Sequence, residues 1–232
     1  MNHEPIPTRA DERTSADSSS RASGIVIAAA TAITVIFFAQ HPTLHTHELD
    51  SIVDELAAMA VKNGIVHGML IGAMGLFIVG FWGFADRLGM RSIWVRAGLV
   101  AYITGAVAMM AAAAINGFVV SRLASHFRDS NSEALETVNL LFTLCHEANV
   151  VCDHIGIVGL SIATLLWSVA LLTRQMSGGI AIGAIGLLIG AAAPLLLLAG
   201  HLHMNIHGMG AFLLAQAIWQ AAVAVQLIRG RV

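Results

Sequence analysis

Apolar residues fall along this chain in six long runs, at about 24–39, 64–84, 97–120, 150–173, 180–200 and 209–228. A helix needs about 20 apolar residues to cross the hydrocarbon core of a bilayer. The pattern therefore predicts an all-α fold: a polytopic transmembrane helix bundle of about six spans, forming one domain over 23–232. Residues 1–22 are rich in Ser, Arg and Asp and carry no apolar periodicity, which predicts a disordered cytoplasmic tail. The first run has the length of a signal-peptide core. A long tail precedes it and no small-x-small cleavage site follows before Gln40, so it is assigned as span 1.

Two spans are expected to continue past the membrane on its outer side. Leu49–Val61 has an amphipathic pattern leading into span 2. Glu48, Asp50, Asp54 and Glu55 sit near its start, where the helix dipole favours negative charge. A second helical pattern runs from about 134 to 173, roughly 60 Å at 1.5 Å per residue, or twice the hydrocarbon thickness. Its C-terminal half is span 4, and its first half must project beyond the bilayer or lie on it.

Composition agrees with the pattern. Only 11% of the residues are charged and 57% are hydrophobic, against about a quarter charged in soluble domains. A net charge of −2 offers no basic surface to nucleic acid. Cys145 and Cys152 would lie about 10 Å apart along one helix, too far for a disulfide, and read as free thiols. Lys and Arg set the orientation. Nine of the 12 (Arg9, Arg13, Arg21, Arg87, Arg91, Arg96, Arg174, Arg229 and Arg231) fall on the side of the two termini, which is therefore cytoplasmic. The expected location is a bacterial inner membrane. The partners expected are membrane lipids and a metal ion, with a homo-oligomer or a membrane partner protein compatible with such a chain.

The same topology gathers the histidines. Of 11, only His3 is in the tail; the other ten lie in outer segments or the outer turns of spans. Neutral imidazole is a common ligand of zinc, copper, iron and nickel, and three or four donors must converge with carboxylates beside them. The candidate metal ligands are His45, His47, His67, His146, His154, His201, His203 and His207, with Asp153 and Glu147 as candidate catalytic carboxylates. His203 and His207 would share a helix face if span 6 began by Leu202. Asn139, His146 and Asp153 recur every seven residues as one polar stripe of the long helix, with Asn149 near it; Glu147 and His154 form a second stripe roughly 100° away. Ionisable groups as deep as Asp153 and His154 usually face a bundle interior or a wet cavity. Met204 and Met209 beside the last histidines tilt the expected metal toward copper over zinc. Solvated histidines or a pH-sensing role are the bland alternatives.

Asn116, Gln216 and Gln220 read as interhelical hydrogen-bond partners. Gly183, Gly186 and Gly190 read as close helix packing, and Trp82, Trp94, Trp167 and Trp219 as interface anchors. No Walker loop, GxSxG, CxxC or HExxH occurs, and no span holds a Lys for a Schiff base. Ser121-Arg122 with His126 looks like part of a lipid-phosphatase motif whose remainder is absent.

Three functions follow as expectations: a periplasm-facing metal-binding protein, a membrane-embedded zinc hydrolase, and a haem-b electron carrier using His67 and His154 as axial ligands. An uncharacterised membrane protein with incidental histidines is the fourth. The pairs Asn63/His67 and His203/His207 resemble the layout of the ceramidase and progestin-receptor-like superfamily, which combines an early polar-x-x-x-His with a final His-x-x-x-His. The zinc-hydrolase expectation has His67, His203 and His207 holding the zinc and Asp153 handling the water; the resemblance covers only the paired positions Asn63/His67 and His203/His207. The chain departs from the pattern in having Asn rather than Ser at the early position and six spans rather than seven.

Overall fold

The computed structural model describes residues 9–43, 46, 48–128, 130–174, 178–202 and 205–231. It is helical throughout, with no strand among the described residues. The helices are α1 (Arg9–Phe38), α2 (Leu49–Ala58), α3 (Ala60–Leu88), α4 (Ile93–Ala114), α5 (Val120–Phe127), α6 (Ser132–Thr173), α7 (Gly179–Leu198) and α8 (Ile206–Ile228). A π-helical segment, Ile115–Val119, joins α4 to α5 without a break. Six helices are long and apolar enough to cross a membrane. The chain is an integral membrane protein.

The spans close into a ring. Each of α1, α3, α4, α6, α7 and α8 packs on the next, and α8 returns to α1. That closure brings Ser20 of α1 and the last turns of α8 to one end of the bundle: the Ser20 hydroxyl donates to the Leu227 carbonyl across 3.5 Å. Arg87, Arg91, Arg174 and Arg229 lie at or beside helix ends there, and it is called the arginine end. The opposite, histidine end carries His41, His67, His146, His201 and His207.

Lipid is as apolar as leucine, so burial from water does not hold such helices together; close packing and interhelical hydrogen bonds do. Gly105 of α4 and Gly159 of α6 face each other so closely that a Cβ on Gly159 would sit 2.8 Å from the Gly105 Cα and from the Ala101 carbonyl oxygen. Gly183, Gly186 and Gly190 admit α6 against α7 in the same way, as their pattern suggested. At the arginine half an aromatic plug fills the ring. Phe81 stacks on Trp167 and Trp219, with centroids 5.2 and 5.7 Å away, and Tyr102 and Phe84 pack round them. Trp167 and Trp219 are fully buried, so the expectation of four interface anchors is corrected: two tryptophans build the core, and Trp82 and Trp94 are exposed. The Trp167 indole N–H is satisfied by the Val95 carbonyl at 3.2 Å.

Three boundaries differ from the hydropathy pattern. Helix α1 begins at Arg9, within the segment expected to be a disordered tail. Its residues 18–24 pack on the last turns of α8, which supplies the order that local propensity does not. Helix continues through 121–127, beyond the apolar run that ends at 120 and into a stretch whose polar residues suggest a connection, because Ser121 and Ala124 give α5 a buried face. Span 6 starts at Ile206, capped by Asn205, whose side chain accepts from the Gly208 N–H at 2.9 Å. The outward extensions of spans 2 and 4 are present as α2 and the 42-residue α6.

Candidate functional site

The histidine half of the ring is hollow. A chamber of about 170 Å³ lies among α1, α3, α4, α6 and α8. Its polar wall is Thr34, His41, His67, Asn116, Asn149 and Asp153. Its apolar wall includes Phe38, Leu70, Met74, Met109 and Leu213. One turn below Met74, Phe77 begins the aromatic plug, so the chamber stops halfway down the bundle. A second cavity of about 470 Å³ lies above it, under α2, between Leu49, Ile52 and Leu56 on one side and Asn139, Phe142 and His146 on the other. His41, His67 and Asn116 line both cavities. The His41 and His67 rings meet edge to face with centroids 4.9 Å apart. They stand where the two cavities adjoin, at what is called the doorway between the vestibule under α2 and the chamber.

The doorway is built from α3, the π-helical segment and the chain that follows α1. His67 is buried, and its Nδ1 lies 3.0 Å from the Asn63 carbonyl oxygen one turn back. A carbonyl can only accept, so Nδ1 carries the hydrogen and the neutral ring keeps its lone pair on Nε2. His41 follows the same rule with the Pro42 carbonyl at 2.9 Å. Burial holds the His41 imidazole below the usual histidine range, against a smaller opposite pull from that bond. Behind His67 stands the π-helical segment. Gly117 lies against the His67 ring, where a Cβ would come within 2.8 Å of Cγ. The Asn63 amide donates to the Asn116 carbonyl at 2.8 Å and to the Ser121 hydroxyl at 2.9 Å. Short π-helical segments inside α-helices are frequent at functional sites; this one turns Gly117 toward His67.

On the far wall, Asn149 Nδ2 donates to the Asp153 carboxylate at 2.9 Å. Asn149 Oδ1 and Thr34 Oγ1 are buried and have no hydrogen-bond partner among the described residues. Thr31 and Thr164, by contrast, bond the carbonyl four residues back.

The sequence-predicted residues separate clearly. His67 and Asp153 line the chamber, and His146, although exposed, lines the vestibule. The expected polar stripe is therefore real: Asn139 and His146 line the vestibule, and Asn149 and Asp153 line the chamber. The second stripe points elsewhere. Glu147 is exposed, and neither it nor the half-buried His154 is among the residues that line the chamber or the vestibule. His201 and His207 are exposed. His207 stands on the side of α8 away from Asn205 and Met209, which line the chamber. His45, His47 and His203 lie outside the described residues. The proposed pairing of His203 with His207 therefore lies outside the described residues as well. Among the described residues, no group of three or more His, Cys, Asp or Glu side chains comes together to hold a metal ion.

Sequence reasoning passed over Thr34, Asn149 and His41 as site residues. Asn149 was within reach, lying beside the stripe. Asn116 was expected to bond between helices, and does so through its backbone carbonyl. No protein-family model, curated protein or solved structure matches this chain.

Proposed function

We propose that this membrane protein captures a small molecule from outside the cell in a chamber that does not conduct it onward. The histidine end faces outward in this reading, with both termini in the cytoplasm, in keeping with the lysine and arginine bias of the connections. One observation carries it: two cavities meet at the His41–His67 doorway, and the inner one ends on the aromatic plug. A buried polar wall in an apolar bundle is costly, and such walls mark substrate or ion sites in membrane proteins.

Accessibility tests this. Leu70→Cys is introduced into a Cys145→Ser/Cys152→Ser background and probed in vesicles of known orientation with a small, membrane-impermeant thiol reagent. Labelling is expected from the histidine face and not from the arginine face. Equal labelling from both faces, or none from the histidine face, defeats the proposal.

Copper or zinc at the doorway is a second reading. It is favoured by two imidazoles whose Nδ1 atoms are fixed by carbonyls, the arrangement that presents Nε2 to a metal. Stoichiometric metal on the purified protein, lost in His41→Ala/His67→Ala, supports it; metal-free protein after reconstitution rejects it.

A further inference from the structure

We propose that the chamber recognises a small organic ammonium ion: a protonated amine on an apolar body about the size of a benzene ring. This rests on the chamber being a ligand site, and it names the ligand's chemistry.

The polar wall is made for a donor. Asp153 offers a carboxylate, and the neutral His41 and His67 rings offer Nε2 lone pairs, because each Nδ1–H is turned to a carbonyl. Asn149 Oδ1 and Thr34 Oγ1 are buried without partners; Asn149 and Thr34 are each more than nine-tenths buried, and both line the chamber. Of the eight buried side-chain polar atoms that lack a partner among the described residues, these two stand together on the chamber wall, where a ligand's donors would meet a need the fold leaves open. Among the described residues, no Lys or Arg lines the chamber. An anion finds no counter-charge there, and a neutral ligand leaves the carboxylate uncompensated.

The rest of the wall and the size decide between kinds of cation. A bare metal ion needs three or four donors around one point at about 2 Å, and no such group exists among the described residues. An ammonium presents three N–H donors on one nitrogen and meets its acceptors at about 2.9 Å, so it needs no closed shell of ligands at about 2 Å. At about 170 Å³ the chamber is far larger than an ion, and close to the roughly 150 Å³ of an apolar cavity that takes up benzene. Phe38, Leu70, Met74 and Leu213 give an apolar body its surroundings, and the Phe38 ring adds an aromatic face for the charge.

The test uses the full chain in nanodiscs, titrated calorimetrically with benzylammonium and butylammonium. Benzyl alcohol is the neutral isostere, benzoate the anion, and Zn²⁺ and Cu²⁺ the metals. Saturable binding of the ammonium ions is expected, with none for benzoate and much weaker binding for benzyl alcohol. Removing the charged partner in Asp153→Asn should weaken ammonium binding by about 30-fold or more. Leu213→Trp, which fills the chamber and leaves Asp153 in place, should abolish it, so a folding defect in one variant does not decide the matter. Equal affinity for benzyl alcohol, no change in a folded Asp153→Asn, or no saturable ammonium binding each overturns the proposal. If Leu70→Cys is labelled from the histidine face but no amine binds, the ligand chemistry is wrong and the chamber reading stands. If no labelling occurs, the chamber reading itself fails.

Discussion

Replacing Asn63 by Leu should loosen the fold at the π-helical segment and disturb the doorway with it. Leucine keeps nearly the same volume but cannot donate. Two hydrogen bonds are lost, to the Asn116 carbonyl at 2.8 Å and the Ser121 hydroxyl at 2.9 Å. Hydrogen bonds inside helical membrane proteins average about 0.6 kcal/mol and reach about 1.7. Two bonds, with two buried acceptors stranded, give an expected loss of about 1–3 kcal/mol. Unfolding in graded denaturing detergent, followed by tryptophan fluorescence from the plug, measures it. A cycle with Ser121→Ala isolates one bond and should return a coupling of about 0.6–1.7 kcal/mol. A second consequence is geometric. If the π-turn relaxes to α-helix, everything beyond it rotates by about 100°, the angle of one residue. Gly117 would then leave the His67 ring, and α5 would leave α2. Ligand binding should therefore weaken in Asn63→Leu more than stability alone explains. A loss under about 0.3 kcal/mol, below the average for even one such bond, refutes the account of how the segment is held.

Three further outcomes follow from close contacts and burial. Gly117→Ala places a methyl against the base of the His67 ring, 2.8 Å from Cγ, so it should cost about 1–3 kcal/mol by overpacking in the same unfolding assay. Gly159→Val drives a branched side chain into the Gly105 backbone; the variant should lose its monodisperse peak in size-exclusion chromatography or unfold at markedly milder detergent. Burial depresses the His41 pKa, so below about pH 6.5 the unfolded chain takes up a proton that the folded chain resists. The His41 contribution is thus full above that pH and is lost as pH falls toward the folded pKa. Stability measured from pH 8 to 5 should fall less steeply in His41→Gln than in the parent, and equal slopes would count against it.

The spans were legible because an apolar run of bilayer length is rare in a chain that stays in water. Their ends were less so. Hydropathy stops at Val120, yet helix continues to Phe127, because Ser121 and Ala124 meet neighbours that no local pattern contains. The long helix shows how far periodicity reaches. Seven-residue spacing put Asn139, His146 and Asp153 on one stripe, and that stripe lines the two cavities. What spacing cannot supply is the angle between helices. His154 and Asp153 are chain neighbours with equal claims by composition, and only the packing of α4 and α7 on α6 decides which one lines the chamber. Clustering of histidines along the sequence likewise pointed to the His201–His207 run, while the isolated His67 found its partner in His41, just past the end of the neighbouring α1. The π-helical segment left no mark in composition at all, since Ile115–Val119 reads as ordinary span.

The unpartnered hydroxyl of Thr34 offers the sharpest separation of stability from function. Threonine in a helix can satisfy its hydroxyl on the carbonyl four residues back. Thr31, one turn earlier on α1, does so with the Ile27 carbonyl at 2.8 Å. Thr34 does not, although its oxygen is buried. Valine matches threonine in shape, so Thr34→Val exchanges an unbonded hydroxyl for a methyl and little else. Leaving a buried polar group unbonded costs about 1–3 kcal/mol, and part of that should be recovered, for a gain of about 0.5–1.5 kcal/mol in the absence of ligand. Thr31→Val removes a made bond and should be neutral or slightly destabilising, which controls for the chemistry of the exchange. Ligand affinity should move the opposite way, with Thr34→Val binding more weakly and Thr31→Val unchanged. Stabilising substitutions that cost function mark residues held in place for a ligand rather than for the fold. A loss of stability above about 1 kcal/mol in Thr34→Val, the size of an ordinary hydrogen bond, would mean that this hydroxyl is already bonded without any ligand. The donor-seeking wall of the chamber would then shrink to Asp153, Asn149 and the two imidazoles.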